Sequence, residues 1–449
     1  MNETRKTIFY AVGAVALVVL AWLTLPRQYT PEAFLDQGQA FFPGFTDPNV
    51  ATSLEVIDWD ETTGRSRPFK VQFKSGRWTI PSHHDYPADG KDRLAKTAAG
   101  VIDLKKDDFR TDNVVEYVSL GVIDPLDDKT TGSVGRGQRI TIRGSNDQVL
   151  ADFIVGKFVP GKAEYRFVRV PDQKRVYAVK MDLEISTRFE DWIDRDLLQM
   201  TKDQIQKIVR RDYSINERTG GVDQRDNLVI TRKDGKWVIG GNEATDSTAL
   251  QSLLTAIDQL SIEGVRRKPE GLSASLRQAG GSPITQADLL SLQSKGFYLS
   301  RDGQLLSNEG ELQVQSRDGI TYVLRFGEIL RGSGMMITAG EGGEESATSG
   351  AAASRYLFLT CDFDQKFFPE PKKPANTSFQ GKADSLLTDA EKENKKLQSE
   401  HDKWQQQVER SGKLSQDLNR RFADWYYVIS SDSFDKLHVK RSDLARKKG

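Results

Sequence analysis

A pattern that occurs twice, more than a hundred residues apart, constrains this chain more than any other feature. The first copy runs Phe69-Lys70-Val71-Gln72-Phe73-Lys74, turns at Ser75-Gly76 and returns as Arg77-Trp78-Thr79-Ile80. The second runs Leu228-Val229-Ile230-Thr231-Arg232-Lys233, turns at Asp234-Gly235 and returns as Lys236-Trp237-Val238-Ile239. Alternating apolar and polar residues around a glycine turn predict a β-hairpin in each. A helix is expected after each hairpin. In the first copy Asp89 is the N-cap, with Leu94, Ala98, Val101 and Ile102 on one face. In the second, Thr245-Asp246 precedes Leu250, Leu253, Leu254, Ile257 and Leu260. Short strands follow, over residues 139–143, 149–156, 165–170 and 175–179 in one copy and 296–300, 311–316, 322–327 and 356–360 in the other. Solenoid repeats run about 20 to 50 residues, so a longer period predicts a duplicated domain. The expectation is an α+β ectodomain of two mostly antiparallel sheet-plus-helix repeats, residues 52–200 and 205–370.

The second constraint is a run without charge, residues 7–25 (TIFYAVGAVALVVLAWLTL). As a helix it would span about 28 Å, close to the hydrocarbon thickness of a bilayer. Arg5 and Lys6 precede it, whereas Glu32, Asp36 and Asp47 follow, so the positive-inside bias predicts a cytoplasmic tail (1–6), a single-pass anchor (7–25) in the inner (cytoplasmic) membrane and an exported, periplasmic remainder. Leu25-Pro26-Arg27-Gln28-Tyr29 offers no small-x-small cleavage site, which favours a retained anchor over a signal peptide. The only cysteine, Cys361, is too far along the chain for lipid attachment after the apolar run and has no disulfide partner. Lysine plus arginine equals aspartate plus glutamate, 64 of each, which argues against a nucleic-acid surface.

Within the second repeat, the glycine-rich acidic stretch 339–354 reads as a flexible loop between strands. Residues 383–422 carry Leu387, Leu397, Trp404, Val408, Leu414, Leu418 and Phe422 at helical spacing, predicting a long amphipathic arm with a break at Ser411-Gly412. Its apolar face must pack either on its own domain or on a partner. Residues 423–449 read as a strand-like tail and a basic end: Trp425-Tyr426-Tyr427-Val428-Ile429 is expected to return and complete a sheet, and Ser433 to Val439 follows it.

The search for chemistry finds no convergent set. His83-His84 cannot form the i, i+4 pair of a helical zinc site, although Asp85 stands beside them. Cys361 lacks a neighbouring histidine and reads as a core residue. Phosphate-cradling loops and serine-hydrolase elbows are absent, and the carboxylate pairs Asp58/Asp60 and Asp194/Asp196 read as surface residues. Trp78 and Trp237 are expected to pack in cores rather than to stack on sugars.

The GRWTI element, the helix after Pro87-Ala88-Asp89, the Leu120-Gly121-x-x-Asp124-Pro125 turn and Ile154-Val155-Gly156-Lys157 leading to Tyr165-Arg166-Phe167-Val168-Arg169 resemble bacterial domain-of-unknown-function family 4340. Arg325-Phe326-Gly327-Glu328 stands in the second copy where Ile154 to Lys157 stands in the first. The resemblance implies one N-terminal membrane helix and an association with ABC-type or gliding-motility-like transport systems; it supplies no catalytic residue. The expectation is a non-enzymatic, membrane-anchored scaffold that is accessory to an envelope transporter, has no cofactor, metal or catalytic residue, and meets other envelope proteins through the helical arm. Two alternatives stay open: an envelope hydrolase or carbohydrate-active enzyme, and a ligand-binding module using the cleft between the repeats.

Overall fold

The computed structural model describes residues 3–24, 36–61, 64–129, 132, 134–181, 185–216, 218–219, 221–240, 243–277, 284–332, 334–340 and 353–445. Helix α1 spans Glu3–Thr24, and its residues 10–20 are exposed on every side. Among the described residues no helix is long and apolar enough to cross a membrane. The side chains of Arg5 and Lys6, and residues 25–35 after the helix, lie outside the described set.

The first repeat contains β1 (Ser53–Asp60), β2 (Arg65–Lys74), β3 (Arg77–Ile80), β4 (Tyr86–Pro87), α2 (Lys91–Ile102), β5 (Asp108–Thr111), α3 (Tyr117–Leu120), β6 (Gln138–Arg143), β7 (Val149–Val159), β8 (Lys162–Arg169) and β9 (Val176–Lys180). Its strands are ordered β4-β3-β2-β1-β6-β7-β8-β9-β5. The second repeat contains β10 (Ile205–Asn216), β11 (Gly221–Lys233), β12 (Lys236–Ile239), β13 (Glu243–Ala244), α4 (Ser247–Asp258) and β14 (Gly264–Arg267). There follow α5 (Glu270–Arg277), α6 (Gln286–Gln293), the small hairpin β15 (Phe297–Leu299) and β16 (Leu305–Ser307), β17 (Glu311–Ser316), β18 (Ile320–Arg331), α7 (Met335–Thr338) and β19 (Ala353–Phe363). The chain ends with α8 (Asp389–Ala423), β20 (Trp425–Ser430), α9 (Ser431–Leu437) and α10 (Arg441–Leu444). The order here is β13-β12-β11-β10-β17-β18-β19-β20-β14, the same as in the first sheet strand for strand. The protein is thus a mixed α/β chain with two large antiparallel sheets and a long C-terminal helix.

The two hairpin tryptophans occupy equivalent places, Trp78 opposite Phe73 and Trp237 opposite Arg232. Both are half-buried and neither joins the core, because the outer hairpin has only one covered face. The helices bury the expected stripes, Leu94, Ala98 and Val101 in α2 and Leu250, Leu253, Leu254 and Ile257 in α4. Asp246 caps α4 by accepting from the Thr248 and Ala249 amides.

One detail repeats for a steric reason. In β7 a Cβ added at Gly156 would lie 2.4 Å from the Leu120 carbonyl oxygen; in β18 one added at Gly327 would lie 2.1 Å from that of Lys295. In each repeat the segment ahead of the inner strands crosses directly over its sheet, and only glycine leaves room for it. The crossing segments turn at Gly121 (φ 71°) and Gly296 (φ 78°).

The chain divides into two compact units, Met1–Lys70 with Asp92–Ile185, and Val71–Lys91 with Ser186–Gly449. The first has a core around Tyr117, Leu120, Val122, Ile154, Phe167 and Val176; the second has an aromatic cluster of Phe297, Phe358 and Tyr426 with Leu272 and Leu292.

Helix α8 sits in the second unit as an insertion between β19 and β20, which pair with one another. It begins with a capping box: Glu391 accepts from the Thr388 amide at 3.0 Å, and Thr388 accepts from the Glu391 amide. The helix packs on its own unit. Asn419 holds the Cys361 backbone from both sides, accepting from its amide at 2.9 Å and donating to its carbonyl at 2.6 Å. Trp404 donates from Nε1 to the Phe368 carbonyl at 2.9 Å. The break expected at Ser411-Gly412 does not occur: the helix is continuous for 35 residues. Ser411 is buried, and a Cβ added at Gly412 would meet the Phe363 ring at 3.8 Å, so this stretch of the helix lies against the sheet. The strand-like tail holds for β20, which fills the gap between β19 and β14, but Ser431–Leu437 is helical where the segment from Ser433 was expected to be extended. Ser430 caps that turn by accepting from the Ser433 amide at 3.0 Å, an N-terminal signal the aromatic run conceals. Residues 341–352, most of the expected flexible loop, lie outside the described set.

Candidate functional site

A cavity of about 520 Å³ lies in the second unit, within the size range of small-molecule sites. The chain entering β14 supplies Ser261, Ile262 and Glu263 to its wall; α7 and the turn ahead of it supply Gly332, Gly334, Ile337 and Thr338; β19 supplies Ser354. Glu190, Ile193 and Arg195 close the remaining side. Positive φ at Gly334 (56°) lets the chain fold into α7, and Gly264 lets α7 rest on β14, since a Cβ there would meet the Ile337 carbonyl oxygen at 2.2 Å.

The wall is held from behind by Arg266. This buried guanidinium donates from Nη1 to Val265 O at 2.9 Å and Ile337 O at 3.0 Å, and from Nη2 to Met336 O. Burial draws its pKa below the ordinary value, and the carbonyls at the end of α7 hold its charge in place. His84 Nε2 donates to Ala339 O at 2.8 Å, a second tie on the same segment.

Most charges on the cavity wall are already paired. Arg188 Nε donates to Glu190 at 2.7 Å, and Arg195 Nη2 donates to Asp191 at 2.6 Å. Glu263 differs: among the described residues its carboxylate has one partner, the neutral Ser354 hydroxyl, which donates to Oε2 at 2.7 Å. Among the described residues it is the charged side chain of the cavity lining without a charged partner.

The residues weighed from sequence stand elsewhere. His83 is buried, stacked on Phe189 with ring centroids 4.3 Å apart, and shares a 2.9 Å hydrogen bond with Ser82 Oγ through Nδ1. Desolvation first, then the positive potential of His84 and Arg266, holds its pKa down to about 3. Asp85 accepts from Lys74 Nζ at 3.0 Å, so the His83-His84-Asp85 run is divided between packing, the Ala339 carbonyl and an ion pair. Among the described residues no three metal-binding side chains converge. Cys361 is buried and its thiol pKa is pushed well above the ordinary value by desolvation, the opposite of an activated nucleophile. Asp58 accepts from Gln138 at 2.7 Å, Asp60 pairs with Arg67, and Asp194 pairs with Arg421 at 3.1 Å while organising the Asp196 turn.

Lys268 carries no sequence signal. Wholly buried, it points Nζ 3.8 Å from the Phe358 ring centroid and donates at 3.0 Å to Phe422 O, one of the last carbonyls of α8. Burial lowers its pKa well below the ordinary value. It is a buried pin for the helix end, outside the cavity wall.

Residues 78–275 match the family model described as domain of unknown function (DUF4340). The matched stretch begins at the first hairpin tryptophan and ends in α5, so it takes in parts of both repeats. No curated protein and no solved structure gives a match.

Proposed function

We propose that this protein is a non-enzymatic, membrane-anchored scaffold whose bulk lies outside the cytoplasm, accessory to an ABC-type or gliding-motility-like envelope transporter. The observation that carries the reading is where burial has shifted ionisable groups. His83, Lys268 and Cys361 have the chemistry of a base, an amine and a thiol nucleophile, yet each is consumed by packing, and none lines the cavity. Active sites bring such groups together in a cleft. Here they hold elements in place.

The anchor is supported by the exposure of α1 from Tyr10 to Leu20: a helix apolar on all sides needs lipid or protein around it. The transport association comes from the family resemblance. Fractionation tests the reading. The full chain is expected in the membrane fraction, extractable by detergent and not by carbonate, and removal of residues 1–25 is expected to release it. A chain carrying His83→Gln, His84→Gln and Cys361→Ser that remains folded is expected to keep its cellular activity; loss of activity without loss of folding would establish the enzyme alternative.

A further inference from the structure

We propose that the cavity beside β14 binds a protonated alkylamine through Glu263. The inference stands apart from the scaffold reading and rests on the charge balance of the cavity. Glu190 is satisfied by Arg188, and Arg195 by Asp191, so neither seeks a counter-ion. Glu263 faces the same cavity with only the Ser354 hydroxyl as a partner among the described residues. A carboxylate in such a site favours a cation, and its neighbours select which one.

Ser354 already occupies Oε2, and among the described residues Oε1 has no partner. A guanidinium binds carboxylates best as a two-pronged fork needing both oxygens, whereas an ammonium is a point charge with three donors. The other acceptors on the wall suit those donors. The Ser354 hydroxyl spends its proton on Glu263 and keeps its lone pairs, and Thr338 Oγ1, whose one described partner is the Met335 sulfur at 3.8 Å, can also accept. Ile262 and Ile337 on the same wall would cover an aliphatic chain. The ligand class is therefore an ammonium on a short alkyl chain, from a free diamine or from a lysine side chain of a peptide.

The test is calorimetric titration of the purified full-length protein in detergent with cadaverine and, separately, with the tripeptide acetyl-glycyl-lysyl-glycine amide. Pentanol serves as the neutral control. Saturable binding of an amine, absent for pentanol and weakened about tenfold or more by Glu263→Gln at unchanged melting temperature, is the expected result. The tighter of the two amines identifies the source. Ile337→Phe, which fills the cavity without touching Glu263, should also abolish binding. Failure of the wild type to bind either amine, or equal binding by a folded Glu263→Gln protein, would overturn the proposal. Because only purified protein is used, these outcomes are independent of where the chain resides in the cell.

Discussion

His83 shows how one side chain couples this fold to pH. Its pKa is about 3 when folded and about 6.5 when free, so below pH 6.5 the unfolded chain takes up a proton that the folded chain refuses. The contribution to stability is therefore complete above pH 6.5 and is lost progressively as pH falls towards 3. At pH 5 the loss is about 2 kcal/mol relative to pH 7, using 1.36 kcal/mol per pH unit. His83→Phe preserves the stacked contact with Phe189 and removes the titration. Denaturant unfolding at pH 7 and pH 5 should show this part of the slope in the wild type and its absence in the variant; an unchanged slope would mean that His83 is solvated. The two crossing glycines give a second residue-scale prediction. Gly327→Ala and Gly156→Ala should each cost at least about 2 kcal/mol, because their new methyl groups meet backbone oxygens that cannot move freely. Gly44→Ala, with nothing within 4 Å, should fall within about 0.5 kcal/mol of wild type in the same melts. The equivalence of Gly156 and Gly327 was legible in the paired motifs, but its steric cause was not, since it depends on a segment some thirty residues away. Glu263 was illegible altogether: one acidic residue among 64 is distinguished only by the neutrality of what surrounds it.

At the scale of elements, legibility followed amphipathicity. The hairpins β2–β3 and β11–β12 and the helices α2 and α4 have one wet and one dry face, so their residues alternate at the right period. The central strands β1 and β10 gave no signal. In β10 the reason is visible: Arg210 is buried, with Asp226 at 2.7 Å and Asp212 at 3.4 Å, so a charged residue sits inside by virtue of partners. Helix α8 misled for a related cause. Its buried positions follow a spacing of three and four residues, Asn394, Ser411, Ser415, Leu418 and Phe422 among them, but small and polar members interrupt the apolar pattern. The polar members do specific work, as Asn394 accepts from the Ala375 amide at 2.8 Å. Ser411→Leu should thus destabilise the protein by about 1 to 3 kcal/mol through overpacking, although leucine is the better helix former. Asn419→Ala, which deserts both backbone groups of Cys361, should cost about 1 to 3 kcal/mol. Thermal melts of the two variants distinguish a helix docked on its own sheet from a free arm, for which Ser411→Leu would be neutral or stabilising.

For the whole molecule, the repeated strand order explains why a chain of this length reads as two copies of one plan, and why the final aromatic run is essential: β20 is the strand that the second repeat postpones until after α8. The central functional claim is that both repeats lie outside the cytoplasm, and the single cysteine makes it directly measurable. Cys361 is buried, so the wild-type chain provides a blank for thiol labelling. Val115 is 82% exposed, and Val115→Cys places a reactive thiol on the surface. Spheroplasts of cells producing this variant should be treated with a membrane-impermeant maleimide before and after lysis. Full labelling of the variant before lysis and none of the wild type in the folded state is the expected result; a variant that labels only after lysis would place the repeats in the cytoplasm and contradict an exported location.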